Sequence, residues 1–211
     1  MAKKFRYYSI WFSIFMIIVF LFQVFINGFT ELFILDDRAN NGEMWRFVTA
    51  IFLHGSVSHL AYNLLALFFF GLVLESLIGS RRFLWVFFVS GIIANVIAIN
   101  YYDASLGSSG AIYGVIGALT IIRPLFVVFA FGIPMPLFLA SAVWITGDIL
   151  RGLGAFGPTN IGAIAHITGI FIGFIMGIMY RSKKRKELTN NQAIISESSI
   201  RKWENNFMRD I

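Results

Sequence analysis

The chain has 211 residues, 58% of them hydrophobic and 13% charged, and phenylalanine alone occurs 24 times. A soluble domain of this length needs far more polar surface, so the lipid bilayer is the natural solvent. The absence of cysteine excludes disulfides and thiolate metal sites, and the net charge of +6 reads as topology and contact with anionic lipid rather than nucleic-acid binding.

A membrane-crossing helix takes ~20 mostly apolar residues. Six candidate segments follow in chain order, which makes the expected fold an all-α, six-helix membrane bundle. The first, 9–28, follows the basic start Lys3, Lys4 and Arg6. It is too long for a cleaved signal peptide, and no small-residue cleavage site follows it. Residues 29–57 form a long first outer loop whose Phe29, Leu32, Phe33, Ile34 and Leu35 suggest a place partly in the outer leaflet. A connection of that length is usually functional or has structure of its own. The second span is placed at 58–78 and the third at 83–102. The fourth, 109–122, is too short to cross fully, so a hollow is expected above its outer end. The fifth, 125–146, contains Pro134 and Pro136, which would kink it; the sixth runs over 161–180.

Three units result: a basic N-terminus (1–8), the six-helix unit (9–181) and a polar, basic tail (182–211). Arg38, Arg46 and Arg151 fall on one side of the membrane, and the other basic residues fall on the side of the termini. That bias puts both termini in the cytosol. In the tail, Ile200, Trp203, Phe207 and Ile211 have near-helical spacing, which suggests an interfacial helix on the cytosolic leaflet.

The polar residues within these spans are few. His59, Asn63 and His166 lie inside or at the ends of apolar segments, where polar groups usually face a bundle interior or a wet cavity. Asn63 falls one turn after His59 on the same face. Ser109 opens the fourth helix within Gly107-Ser108-Ser109-Gly110, with Tyr113 one turn on. Counted at ~1.5 Å per residue from the cytosolic turns, Ser109, His166 and Asn63 share one depth. Gly110, Gly114 and Gly117 on helix four, and Gly162, Ala165, Gly169, Gly173 and Gly177 on helix six, form small-residue faces that let backbones approach. A serine hydroxyl becomes a nucleophile when a histidine takes its proton, which suits Ser109 and His166. His59, Asn63 and the Ser109 amide are at hand as donors to an oxyanion.

These motifs together resemble the rhomboid family of serine intramembrane proteases. Trp45-Arg46, His54 and the run His59-Leu60-Ala61-Tyr62-Asn63 resemble the family's first-loop and helix-two signature. Gly107-Ser108-Ser109-Gly110 resembles its GxSG motif, and Ala165-His166-Ile167-Thr168-Gly169 its AHxxG motif. Glu75 and Gly79 match a Glu and a Gly at the cytosolic end of helix two. The resemblance implies a minimal six-helix form with a Ser109–His166 dyad that lacks an acidic third member. It implies an oxyanion hole of His59, Asn63 and the Ser109 amide, support from Tyr113, Gly107 and Gly110, and a structural role for Trp45, Arg46 and His54. It further implies transmembrane protein substrates that enter between helices two and five, membrane lipid as surroundings, and no cofactor or metal. A cell-membrane location is expected, and the sequence leaves the oligomeric state open.

The alternative is a catalytically inactive rhomboid-like protein that binds clients without cutting them. A metalloprotease HExxH motif is absent from the sequence. An aspartyl GxGD site fails at Ile145, and Asp103 and Asp148 read as solvated charges at outer helix ends. A soluble hydrolase elbow fails at Ala111.

Overall fold

The computed structural model describes residues 6–130, 132–155 and 162–192, with isolated positions 201 and 205; for 182–192 only the backbone is described. The interfacial helix expected around Ile200 to Ile211 lies outside the described residues. The protein is a multi-helix membrane bundle. Among the described residues, four helices are long and apolar enough to cross a bilayer: α1 (Tyr8–Phe25), α4 (Val57–Ile78), α5 (Ser80–Ala98) and the Ala163–Arg181 part of α8 (Ala163–Gln192). Two shorter ones, α6 (Ser109–Ile122) and α7 (Leu137–Gly152), complete the bundle. Short helices α2 (Phe29–Phe33) and α3 (Arg46–Thr49) fold the first loop. Strand β1 (Leu35–Asp36) of that loop pairs antiparallel with β2 (Ala104–Ser105), just ahead of α6.

The fifth helix differs from its expected bounds. Val127–Ala130 (β3) and Ile133–Pro136 (β4) form an antiparallel hairpin, and α7 starts only after Pro136. Pro134 and Pro136 therefore lie in a strand and do not kink a helix. The physical reason is local: Val127, Val128 and Phe129 favour extended backbone, Gly132 takes a positive φ of 77° at the turn, and proline lacks the amide a helix interior needs. The helix shifts toward the C-terminus as a result, and Asp148 and Arg151 fall within it rather than in a loop.

Helix α6 is the axis of the bundle, with every residue from Gly110 to Thr120 buried except Tyr113. Its glycines bring α8 to backbone contact. A Cβ at Gly169 would run into the Gly110 carbonyl, one at Gly173 into the Gly114 carbonyl, and one at Gly177 would lie 2.9 Å from the Ala118 oxygen. Each step advances four residues on both helices, so α6 and α8 run parallel. Ser109 precedes Gly110 by one residue and His166 precedes Gly169 by three. The two thus differ by two residues of register, ~3 Å along the axis. On the opposite side, α5 presents Ala94, whose Cβ would lie 2.8 Å from a Cβ at Gly110.

Helix α1 is held at its N-terminal end by Glu75, a fully buried carboxylate. The first amides of a helix have no partners within it. Here Glu75 accepts from the Tyr8 amide (3.0 Å), the Ser9 amide (3.1 Å), the Ser9 hydroxyl (3.1 Å) and the Ser80 hydroxyl (2.6 Å). Negative charge at a helix N-terminus also suits the helix dipole. Beside it, α4 carries a π-helical stretch at Leu67–Gly71, and a Cβ at Gly71 would lie 2.9 Å from Ser9 Cβ. The other face of α1 leaves Trp11, Phe15, Ile18 and Phe22 uncovered by protein, as a lipid-facing helix requires.

The glycine contacts yield a stability prediction. Gly173→Ala should push α8 off α6 and lower the melting temperature in detergent, by an overpacking cost of ~1–3 kcal/mol. An unchanged melting temperature would contradict backbone-to-backbone packing at this point.

Candidate active site

The N-terminal end of α6 is fixed by the first loop. Gly107 takes a φ of 122°, a conformation open to glycine, and a Cβ there would lie 2.7 Å from the His59 ring. Its amide donates to the Ala50 carbonyl at 2.9 Å. Ser108 is fully buried, and its hydroxyl lies 3.3 Å from His54 Nε2. The His54 amide in turn donates to Gln23 Oε1 of α1 at 2.9 Å. The loop thus sets the position of the turn from which Ser109, half-buried, opens α6.

The loop itself is organised by Arg46, whose residue is 1% exposed. Its guanidinium pairs with Glu43 at 2.5 Å and donates to the carbonyls of Glu31 (3.0 Å) and Ile34 (2.7 Å). Asn95 of α5 then donates to the Phe47 carbonyl at 2.9 Å, tying the loop to the bundle. Trp45 is different: its ring is about half exposed, and its carbonyl accepts from the Val48 and Thr49 amides as α3 starts.

His59 and Asn63 occupy consecutive turns of α4. The Asn63 side-chain amide donates to the His59 carbonyl at 2.8 Å, and Asn63 is buried. The His59 ring meets the His54 ring at 5.1 Å, edge on.

His166 stands in the first turn of α8. The Tyr113 ring stacks on its imidazole, with centroids 4.3 Å apart and planes within 11°. Tyr113 lies one turn after Ser109, so this contact puts His166 on the Ser109 face of α6. Ser109 and His166 make no direct hydrogen bond to each other among the described contacts of this resting structure. Such bonds are commonly long before substrate binds.

The structure adds one residue that the sequence reading set aside. Asp148 has no exposed surface, and its Oδ2 lies 3.1 Å from His166 Nδ1. Its other oxygen accepts from Arg151 at 3.2 Å. It is not a solvated loop charge. Placing the fifth helix too early, with both prolines inside it, put Asp148 beyond the helix end. The signal that would have found it is the run from Val127 to Pro136, which reads better as a hairpin. That moves the helix past residue 150 and sets Asp148 and Arg151 at i, i+3.

His54 gives the site a pH dependence. Burial, and then the nearby His59, lower its pKa from 6.5 to about 4. The unfolded chain therefore holds this proton more tightly than the folded one. The contribution of neutral His54 to stability is complete above ~6.5 and is lost as pH falls toward ~4. The melting temperature of the native protein should fall more steeply between pH ~7 and ~4.5 than that of His54→Asn; equal slopes would contradict the buried neutral imidazole.

The Rhomboid domain family matches residues 41–183 of this chain. YdcA of Bacillus subtilis is 34% identical over 149 residues, which covers 69% of this chain and 72% of that protein. The rhomboid protease GlpG of Haemophilus influenzae is 32% identical over 148 residues, 69% of this chain and 74% of that protein. Similarity also extends to the inactive RHOMBOID-like protein 8 of Arabidopsis thaliana, 36% identical over 81 residues, 37% of this chain and 23% of that protein.

Proposed function

The chain belongs to the rhomboid family, and from that premise we propose that it is a serine intramembrane endopeptidase in which Ser109 is the nucleophile and His166 the base. Its relatives support intramembrane proteolysis in general terms; the case for activity in this chain rests on its own residues. The observation that supports it is the Tyr113–His166 stack on the Ser109 face of α6, in a parallel register that leaves Ser109 and His166 ~3 Å apart along the axis.

In this reading His166 removes the proton of Ser109 as the hydroxyl oxygen attacks the scissile carbonyl. The imidazolium then returns that proton to the leaving amine as the C–N bond breaks. Water repeats the sequence on the acyl-enzyme and releases the second product. The oxyanion of each tetrahedral intermediate takes hydrogen bonds from the Ser109 amide, the Asn63 side chain and His59. Gly107 and Gly110 keep the turn open for the carbonyl to approach. Trp45, Arg46 and His54 belong to the loop that holds this turn in place.

The substrates in this reading are transmembrane segments of other proteins. They enter from the lipid between α4 and α7, where Phe70 and Trp144 meet edge to face at 6.1 Å. The six-helix unit spans 9–181, flanked by a basic N-terminus (1–8) and a basic tail (182–211). Both termini face the cytosol of a cell membrane, a placement supported by the clustering of Lys and Arg on their side. The inactive relative marks the rival reading, a client-binding protein. The presence of both Ser109 and His166 favours the protease.

Purified protein should cleave a single-span model substrate in detergent. Ser109→Ala should abolish cleavage while keeping the melting temperature; unchanged cleavage would remove Ser109 from its role. Asn63→Ala should slow turnover by ~10²–10³-fold, the usual cost of one oxyanion donor. A native rate would remove Asn63 from the oxyanion hole.

A further inference from the structure

Asp148 is a buried carboxylate that the dyad does not use. Burial of a charge without a partner is costly, and Asp148 pairs with Arg151 on its own helix and with His166 across the α7–α8 contact. The Arg151 side chain is 40% exposed while Asp148 is fully covered, so the carboxylate points inward, toward the imidazole.

We propose that Asp148 is a positioning residue for His166, making the site a Ser109–His166–Asp148 relay in place of a dyad. The inference rests on the reading of Ser109 and His166 as nucleophile and base. The chemistry follows from which nitrogen is taken. With Nδ1–H donating to Asp148 Oδ2 at 3.1 Å, the proton of neutral His166 sits on Nδ1. The Nε2 lone pair is then the one free to accept the Ser109 proton as the Ser109 oxygen–carbonyl carbon bond forms. The imidazolium that results is stabilised by the facing carboxylate, which stays ionised throughout. Tyr113 fixes the ring plane by stacking, and Asp148 fixes the ring's rotation and tautomer. The Tyr113 phenol is also close enough to interact with the Asp148 carboxylate, so the two supports form one unit.

Several titratable or charged groups surround His166. Asp148 faces it from α7, with Arg151 on the other carboxylate oxygen; Tyr113 faces it from α6, and His59 from α4 lies within electrostatic reach. On the α5 side, the Tyr102 hydroxyl accepts from the Ile164 amide at 3.2 Å. Asp148 is the carboxylate hydrogen-bonded to the ring, so its removal should take away the charge that favours the imidazolium during catalysis.

The test is the pH profile of cleavage of a single-span substrate in detergent by native protein, Asp148→Asn and Asp148→Glu. Asp148→Asn should lower kcat at least ~10-fold, part of the ~10²–10⁴-fold span of general-base catalysis. KM should change little, and the acidic limb should move to lower pH by ~1 unit or more, the scale of losing a neighbouring opposite charge. Asp148→Glu should restore the limb in part. A carboxylate that only joins α7 to α8 would change the melting temperature and leave the limb in place, and that result overturns the proposal. Should Asp148→Asn fail to fold, ¹⁵N imidazole spectra of the otherwise native protein decide, with the His166 signal identified by its loss in His166→Gln. Protonation of Nδ1 in the neutral ring is the expected result; protonation of Nε2 overturns the proposal. Failure of the parent reading looks different: Ser109→Ala and His166→Gln would then cleave like native protein.

Discussion

The site depends on the backbone contact between α6 and α8. Glycine at 169, 173 and 177 removes the side chains that would otherwise separate these helices, and the α6 carbonyls fill the space. In lipid no hydrophobic effect drives helices together, so close van der Waals packing has to supply the association. A parallel register in fixed four-residue steps then brings the first turn of α8 beside the first turn of α6. Ser109 and His166 meet in depth because of that register. A slip by one turn would move His166 by ~5.4 Å and take it off the Tyr113 ring.

Register fixes depth, and the first loop fixes the approach. Arg46 is buried among backbone carbonyls and Glu43, so a segment whose own apolar cluster is small (Leu35, Ala39 and Ala50) is gathered around one cation. From there the connections lead to the site: Ala50 receives the Gly107 amide, His54 meets Ser108, and β1 pairs with the strand ahead of α6. The short α6 therefore starts in a turn held by protein, where a longer helix would have continued outward. At the far end of α4 Glu75 plays the corresponding part for α1, giving its first amides a partner that the bilayer could not.

Much of this was legible in the sequence, and the limits have physical causes. Helices α1, α4, α5 and the Ala163–Arg181 part of α8 are long apolar runs whose composition alone sets their extent within a few residues. The glycine faces were legible because three- and four-residue spacing maps directly to one side of a helix. Tyr113 one turn after Ser109 was legible for the same reason. The hairpin was not, because its apolar residues read as membrane-spanning composition whatever their backbone does, and Pro134 and Pro136 were then read as kinks. That one misplacement hid Asp148, since a carboxylate at a supposed helix end has an ordinary solvated reading. The partners of Arg46 and Glu75 were also beyond reach. Half of them are backbone groups, and no residue pattern marks which carbonyl or amide a charge will find.

The central claim is that Ser109 carries the nucleophilic hydroxyl activated by His166. Its most direct test is treatment of the detergent-solubilised protein with a fluorophosphonate, followed by mass mapping of the adduct. The account predicts a single adduct on Ser109, absent from Ser109→Ala and strongly reduced in His166→Ala. An adduct on the neighbouring Ser108, or labelling of native protein no faster than of the His166→Ala variant, would contradict it.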